Sequence, residues 1–197
     1  MIAELEKRRS FWESHHIVQC QGDSIAMPFN SIDNYKALFA GKRILEIGPG
    51  EGRQFDALHH LAATYSVADI VPAVLNQPRY TIAHARHLID NYESTDLGAT
   101  FDLITFWYVL HHVRLDEADT FFDFLTRHLA LDGRLIFNAP HANPKSEYAK
   151  GSGDGCATTP WNLTLVIDLL HARNFTIEQK LDLAPNCLVF VASLLAE

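Results

Sequence analysis

The sequence predicts a doubly wound α/β fold, a mostly parallel sheet between two helical layers, with a C-terminal antiparallel hairpin strand. Three observations predict it. Strand and helix periods alternate from residue 43 onward. Phe101 to Tyr108 is a nearly unbroken apolar and aromatic run with one acid, Asp102, as expected of a strand buried on both faces. The last two apolar runs are joined by the turn pair Pro185-Asn186. Repeated strand, helix, strand units imply a parallel sheet covered on both faces, because parallel neighbours are joined only by a crossover.

Ahead of the alternation, Ala3 to Trp12 and Ser31 to Phe39 read as helices, the second capped by Asn30 or Ser31 and stopped at Gly41. Arg43 to Gly48 is a short β-branched strand ended by glycines. Gln54 to Ala63 is helical, with Phe55, Leu58 and Leu61 at spacing three. Tyr65 to Asp69 is a second strand, and Pro72 to Gln77 a short helix stopped by Pro78. Tyr80 to Ala83 reads as a third strand and Phe101 to Tyr108 as the central one. Asp116 to Leu129 places Ala118, Phe121, Phe122, Leu125 and Leu129 on one helical face, and Asp132-Gly133 turns the chain into a strand over Arg134 to Asn138. Asn143 to Thr159 is polar and glycine-rich, a long loop. Thr159 as N-cap and Pro160 at the first helical position open a helix to about His171. Phe175 to Ala184 and Cys187 to Leu195 form the closing hairpin.

Composition supports one folding unit over residues 1–197, with a helical lead-in and lid over 1–41 and the core over 42–197. The 197 residues are 48% apolar and 20% charged, with 10 glycines and 8 prolines, an ordinary globular mixture. A chain of this size buries roughly 70% of its unfolded surface, enough for a core without staples. The three cysteines, Cys20, Cys156 and Cys187, are far apart and lack metal-binding spacing, which fits a reducing cytoplasm. No apolar stretch approaches the ~20 residues of a membrane span, and no secretory core follows the basic run Lys7-Arg8-Arg9. The net charge is −8, with acids and bases spread evenly, so no basic face for nucleic acid is evident and a small-molecule partner is expected. Either a monomer or a homodimer is compatible with these features.

The segment that carries chemistry is Glu46-Ile-Gly48-Pro49-Gly50-Glu-Gly52-Arg53. Glycines that end a strand and open a helix let the backbone turn sharply and a ligand approach helix N-terminal amides, as in nucleotide sites. The dinucleotide fingerprint needs Gly or Ala where Arg53 stands, and Glu46 and Glu51 put negative charge where a pyrophosphate would lie. Both features argue against an oxidoreductase that uses a dinucleotide.

The segment resembles the first motif of the class I S-adenosylmethionine-dependent methyltransferases, an acid followed by spaced glycines, and matches it at every fixed position. The resemblance implies their Rossmann-like fold and S-adenosyl-L-methionine as cofactor, with S-adenosyl-L-homocysteine as product. Asp69, which ends the second strand 23 residues after Glu46, corresponds to the family's acid for the ribose hydroxyls. Phe101 to Val113, with its Leu-His-His ending, resembles the family's fourth strand, and Leu131 to Phe137 its fifth. The cofactor residues implied are Glu46, Gly48, Pro49, Gly50, Gly52, Asp69, Ile70, Phe106 and Trp107. For adenine, the family's Asp-Ala position falls on His84-Ala85-Arg86, and a second register offers Asp90-Asn91.

Methyl transfer implies a protein that positions donor and acceptor and shields them from water. Aromatic faces such as Phe106, Trp107 and Tyr108 favour a cationic sulfonium. Trp107 and Tyr108 share a pocket only if the strand ends before them, since neighbours on a strand point to opposite faces. A hydroxyl acceptor needs a base, for which His111, His112 and His141 are candidates. Trp12, His15 and His16 belong to the predicted lid. No metal is expected, because the histidine pairs are adjacent in sequence and their side chains diverge. The function implied is methylation of oxygen or nitrogen on a small-molecule or glycan-like acceptor. The alternative is a non-catalytic cofactor-binding module that regulates or scaffolds a partner.

Overall fold

Four apolar runs and one short edge segment build the centre of the molecule as five parallel strands. In the structure, a computed structural model that describes residues 6–13, 32, 34–140, 159, 161–184 and 187–195, they are β1 (Arg43–Ile47), β2 (Thr64–Asp69), β3 (Arg86–Leu88), β4 (Phe101–Phe106) and β5 (Leu129–Pro140). The hairpin strands β6 (Phe175–Ala184) and β7 (Cys187–Leu194) complete a seven-stranded sheet in the order β3-β2-β1-β4-β5-β7-β6. β7 runs antiparallel to both β5 and β6, so it is the one reversed strand and β6 again points the same way as β5.

The helices are α1 (residues 6–13), α2 (Tyr35–Phe39), α3 (Arg53–Leu58), α4 (Pro72–Leu75), α5 (Ala118–His128) and α6 (Leu163–His171). Alternation along the strands divides the core into two layers. Leu45, Ile104, Phe106 and Phe137 face α5 and α6, where Phe121, Phe122, Leu125 and Trp161 meet them. Ile44, Val67, Leu103 and Ile136 face the other way, toward Phe39, Phe55, Leu58 and Tyr80. This is the three-layer, doubly wound sandwich expected from the sequence.

The winding positions the site. From β1 the chain moves outward through β2 and β3, then returns to the opposite side of β1 to place β4. The strand order reverses between β1 and β4, and the loops leaving their C-terminal ends diverge there to open a crevice.

Several boundaries differ from expectation. Tyr80 to Ala83 is not a strand: Pro78–Ile82 forms a 3-10 turn, and Tyr80 is drawn inward as a fully buried ring. The third strand begins at Arg86, which pairs with Val67. α2 is shorter than predicted because Asn34 has a left-handed backbone, φ 54°, that no continuing helix passes through; Asn30 and Ser31 lie outside the described residues. α3 ends at Leu58 and tightens into a 3-10 turn over His59–Leu61. β5 runs through Asp132-Gly133 without a separate turn, absorbing them as a bulge in its pairing with β4, with Asp132 at φ 59°. α6 starts at Leu163 because Asn162, not Thr159, is its cap: the Asn162 side chain accepts the Thr164 amide at 2.8 Å. Pro160 and residues 141–158 lie outside the described residues.

Candidate active site

A cavity opens at the crevice. Ile47, Gly48 and Gly50 reach it from the end of β1, and Asp69, Ile70 and Val71 from the end of β2. Beyond β3 come Ile89 and Tyr92. Trp107, Tyr108, Val109 and His112 follow β4, and Arg8 and Trp12 close over from α1.

Gly48 requires its residue type twice over. Its φ of +65° lies in the left-handed region, and a Cβ there would stand 2.4 Å from the Val109 side chain. The glycine loop is held from beneath, where Tyr80 Oη and Gln77 Nε2 both donate to the Gly50 carbonyl, at 2.9 and 3.0 Å. Gly52, which caps α3, and Pro49, whose carbonyl accepts the Gly52 amide at 2.8 Å, shape the loop without lining the cavity.

Glu46 is not in the cavity wall. Its side chain points to the other face of β1 and is buried in a polar network, where Tyr65 Oη donates to it at 2.9 Å and Gln54 Nε2 donates to Tyr65 Oη at 2.8 Å. Gln54 Oε1 in turn accepts from Thr105 Oγ1 at 3.3 Å and from the Trp107 indole N–H. Burial pushes the Glu46 carboxyl up to about 8, against the opposing hydrogen bonds from Tyr65 and Gln54. The network thus joins the first-motif acid to an aromatic ring of the cavity.

Asp69 is buried at 8% exposure yet lines the cavity. One of its oxygens accepts the Val71 amide at 2.8 Å. Burial raises its carboxyl to about 7, while the amides of Val71 and Ile70 pull the other way. Among the described residues no cation forms an ion pair with it. A carboxylate has about four acceptor positions, so capacity for ligand hydroxyls remains.

β4 ends at Phe106, and Tyr108 takes φ 57°, so Trp107 and Tyr108 both reach the cavity. Asn138 Oδ1 holds this bend by accepting the Tyr108 amide at 2.7 Å. Phe106 is turned away, packed in the core against Phe121 and stacked on Phe137. His112 lines the cavity, its ring edge-on to Trp12 at 4.7 Å. His111 lies in the same 3-10 turn, Leu110–His112; its side chain, like all of His141, His15 and His16, lies outside the described residues.

His84, Ala85 and Arg86 sit at the N-terminal edge of the sheet, away from the cavity, because the third strand begins where the sequence reading had already ended it. At the C-terminal end of β3 stand Ile89, which lines the cavity, and then Asp90 and Asn91, the second register.

Sequence reasoning missed Ile89, Tyr92 and Arg8. The first two were reachable only by placing β3 correctly. Arg8 and Arg9 were visible as a basic run whose partners are distant: Arg8 pairs with Glu117 at 2.6 Å and donates to the His112 carbonyl at 3.1 Å. Arg9 donates to the Ile70 carbonyl at 2.6 Å and the Ile89 carbonyl at 3.3 Å. These bonds dock α1 across the loops that follow β2, β3 and β4. Among the described residues no group of acids, histidines and cysteines could hold a metal, and no helix is long and apolar enough to cross a membrane.

Comparison with known proteins agrees with this architecture. The chain is similar to the 1,6-didemethyltoxoflavin-N1-methyltransferase of Burkholderia thailandensis, solved with its substrate and S-adenosylhomocysteine (TM-score 0.77, 17% identity, 97% of this chain and 88% of that one). It is similar to the N-methyltransferase NodS of Bradyrhizobium japonicum WM9 bound to S-adenosyl-L-homocysteine (TM-score 0.65, 18% identity, 86% and 89%). It also resembles the magnesium protoporphyrin IX methyltransferase of Synechocystis PCC 6803 (TM-score 0.69, 13% identity, 94% and 97%). At such identities the likeness is one of fold. No curated protein matches the sequence. The family model described as a methyltransferase domain matches residues 29–180, from before the glycine loop into β6, and the chain therefore belongs to the methyltransferase domain family.

Proposed function

We propose that the protein transfers a methyl group from S-adenosyl-L-methionine to oxygen or nitrogen of a small-molecule acceptor. The observation that carries this reading is the buried Asp69 carboxyl on the wall of a cavity at the β1/β4 switch point, across from Gly48 and Gly50. The residues present fit the cofactor. Asp69 retains acceptor capacity for two ribose hydroxyls, the glycine loop admits close approach, and Ile70 and Ile89 offer apolar surface for the adenine. When bound, the cofactor supplies a methyl carbon on a cationic sulfur.

The chain's own residues have three tasks. Trp107 and Tyr108 present aromatic faces to a cation. α1, with Arg8 and Arg9 bonded to the loops beneath, excludes water. His112 takes the acceptor's proton, since it is the imidazole on the described wall, whereas burial holds the Tyr92 phenol protonated above its usual range. The similarity to methyltransferases named for small-molecule substrates supports the acceptor class.

Calorimetric titration with S-adenosylhomocysteine, with NAD as control, tests the cofactor. Binding of the former alone is expected, reduced by Asp69→Ala about tenfold or more. Binding equal for Asp69→Ala and wild type would remove the site. Binding without turnover on any acceptor would favour a regulatory module.

A further inference from the structure

The class of acceptor can be narrowed from the cavity wall, an argument that rests on the reading above. With Asp69, Ile70 and Ile89 assigned to the cofactor, the wall left for the acceptor includes Trp12, Tyr92, Trp107, Tyr108 and Val113, with Arg8 and His112 beside them.

Charge decides first. Both terminal nitrogens of the Arg8 guanidinium are engaged: one pairs with Glu117 at 2.6 Å, both side chains nearly buried at 8% and 12% exposure, and the other donates to the His112 carbonyl, which leaves the buried Nε–H as its one donor without a partner among the described residues. A substrate carboxylate or phosphate that paired with the terminal nitrogens would have to displace Glu117 from a buried pair, leaving that acid uncompensated, and the single Nε–H offers an anion no bidentate grip. It would also enter a cavity whose wall carries the acid Asp69.

Hydrogen-bonding capacity decides next. Apart from Arg8, His112 and the phenols of Tyr92 and Tyr108, the described side chains on this part of the wall are apolar or indole. A sugar brings a hydroxyl on nearly every carbon, and each one buried without a partner weakens binding by about tenfold.

Rigidity favours a flat ligand. Trp107 is fixed from behind by Gln54, and the backbone of Tyr108 by Asn138. Trp12 rides on α1, tied down through Arg9 to the Ile70 carbonyl at 2.6 Å. Aromatic faces held in place before binding lose little freedom when a planar molecule packs on them.

We propose that the acceptor is an uncharged, planar aromatic or heteroaromatic molecule with a ring hydroxyl or ring N–H, bound among Trp12, Trp107 and Tyr108, and not a glycan, carboxylate or phosphate. Its oxygen or nitrogen forms the new bond to carbon as the sulfur–methyl bond breaks, and its proton passes to the His112 imidazole.

The test uses the 197-residue chain saturated with S-adenosylhomocysteine and titrated with 2-naphthol, 2-naphthoate and methyl β-D-glucopyranoside. Naphthol is expected to bind at least about tenfold more tightly than either alternative. Trp12→Ala is expected to weaken naphthol by about tenfold while S-adenosylhomocysteine affinity stays near wild type, which also reports that the variant is folded. Equal or tighter binding of naphthoate or glucoside overturns the proposal. So does absence of naphthol binding to a protein that binds S-adenosylhomocysteine. Loss of S-adenosylhomocysteine binding by the unaltered chain overturns the methyltransferase reading instead, so the two failures are distinct.

Discussion

Gln54 never touches the cavity, yet its amide joins three elements: β1 and β2 through Tyr65 and Glu46, and the end of β4 through Thr105 and Trp107. Gln54→Leu leaves the indole N–H and the Thr105 hydroxyl without their buried acceptor. A loss of about 1–3 kcal/mol is expected in chemical denaturation, with a shift in the tryptophan emission that a remote core defect would not cause. The two raised carboxyls set the pH behaviour. Glu46 at about 8 and Asp69 at about 7 keep protons that the unfolded chain has released, so the stability they contribute is full below the ordinary carboxylate range and is lost as pH rises through those values. His87, which burial holds below its ordinary value, acts with the opposite sign at mildly acid pH, so the readout is a difference between proteins. Urea unfolding from about pH 5 to about pH 9 is expected to show a stability falling more steeply with pH in wild type than in Glu46→Gln. Ligand hydroxyls favour the charged form of Asp69, so S-adenosylhomocysteine affinity is expected to drop below about pH 7, a dependence that Asp69→Asn abolishes.

At the scale of elements, the caps and turns carry the sharpest expectations. Asn162→Ala removes the one side-chain cap of α6, and thermal denaturation is expected to show a loss of about 1 kcal/mol. Gly48→Ala combines a left-handed backbone with a clash against Val109. About 2 kcal/mol of destabilisation and weaker S-adenosylhomocysteine binding are expected, checked by denaturation and calorimetry. What was legible at this scale follows from burial. β1, β2 and β4 are covered on both faces and announce themselves as apolar runs, and the glycines of the first turn are legible because few residue types tolerate that backbone. β3 is an edge strand of three residues with Arg86 and Leu88 exposed, so no apolar run marks it. The segment before it, Tyr80 to Ala83, was read as the strand, and the candidate adenine residues were counted from there. Trp107 and Tyr108 were legible as aromatic residues closing the central strand, but the bend that lets both face one cavity depends on Asn138, thirty positions away in sequence.

At the scale of the molecule, the site is a product of the winding, which gathers at one edge residues as distant as Arg8, Asp69 and His112. Such long-range placements have no local signature, whereas strand and helix alternation does, and that is why the fold was read more fully than the cavity. The position of β7 has a further consequence. β6 meets the sheet through β7, which is inserted between it and β5. Removing residues 187–195 therefore costs an interior strand and detaches its neighbour, and the truncated chain is expected to aggregate and to lose its cooperative melting transition rather than merely lose a margin. During synthesis on the ribosome, a nascent chain that has emerged through residue 184 holds β1 to β5 with the β5 edge open and β6 still unable to dock. Closure of the sheet waits for the strand made after it, so the newborn protein passes through a window of exposure in which chaperone capture competes with the final strand insertion.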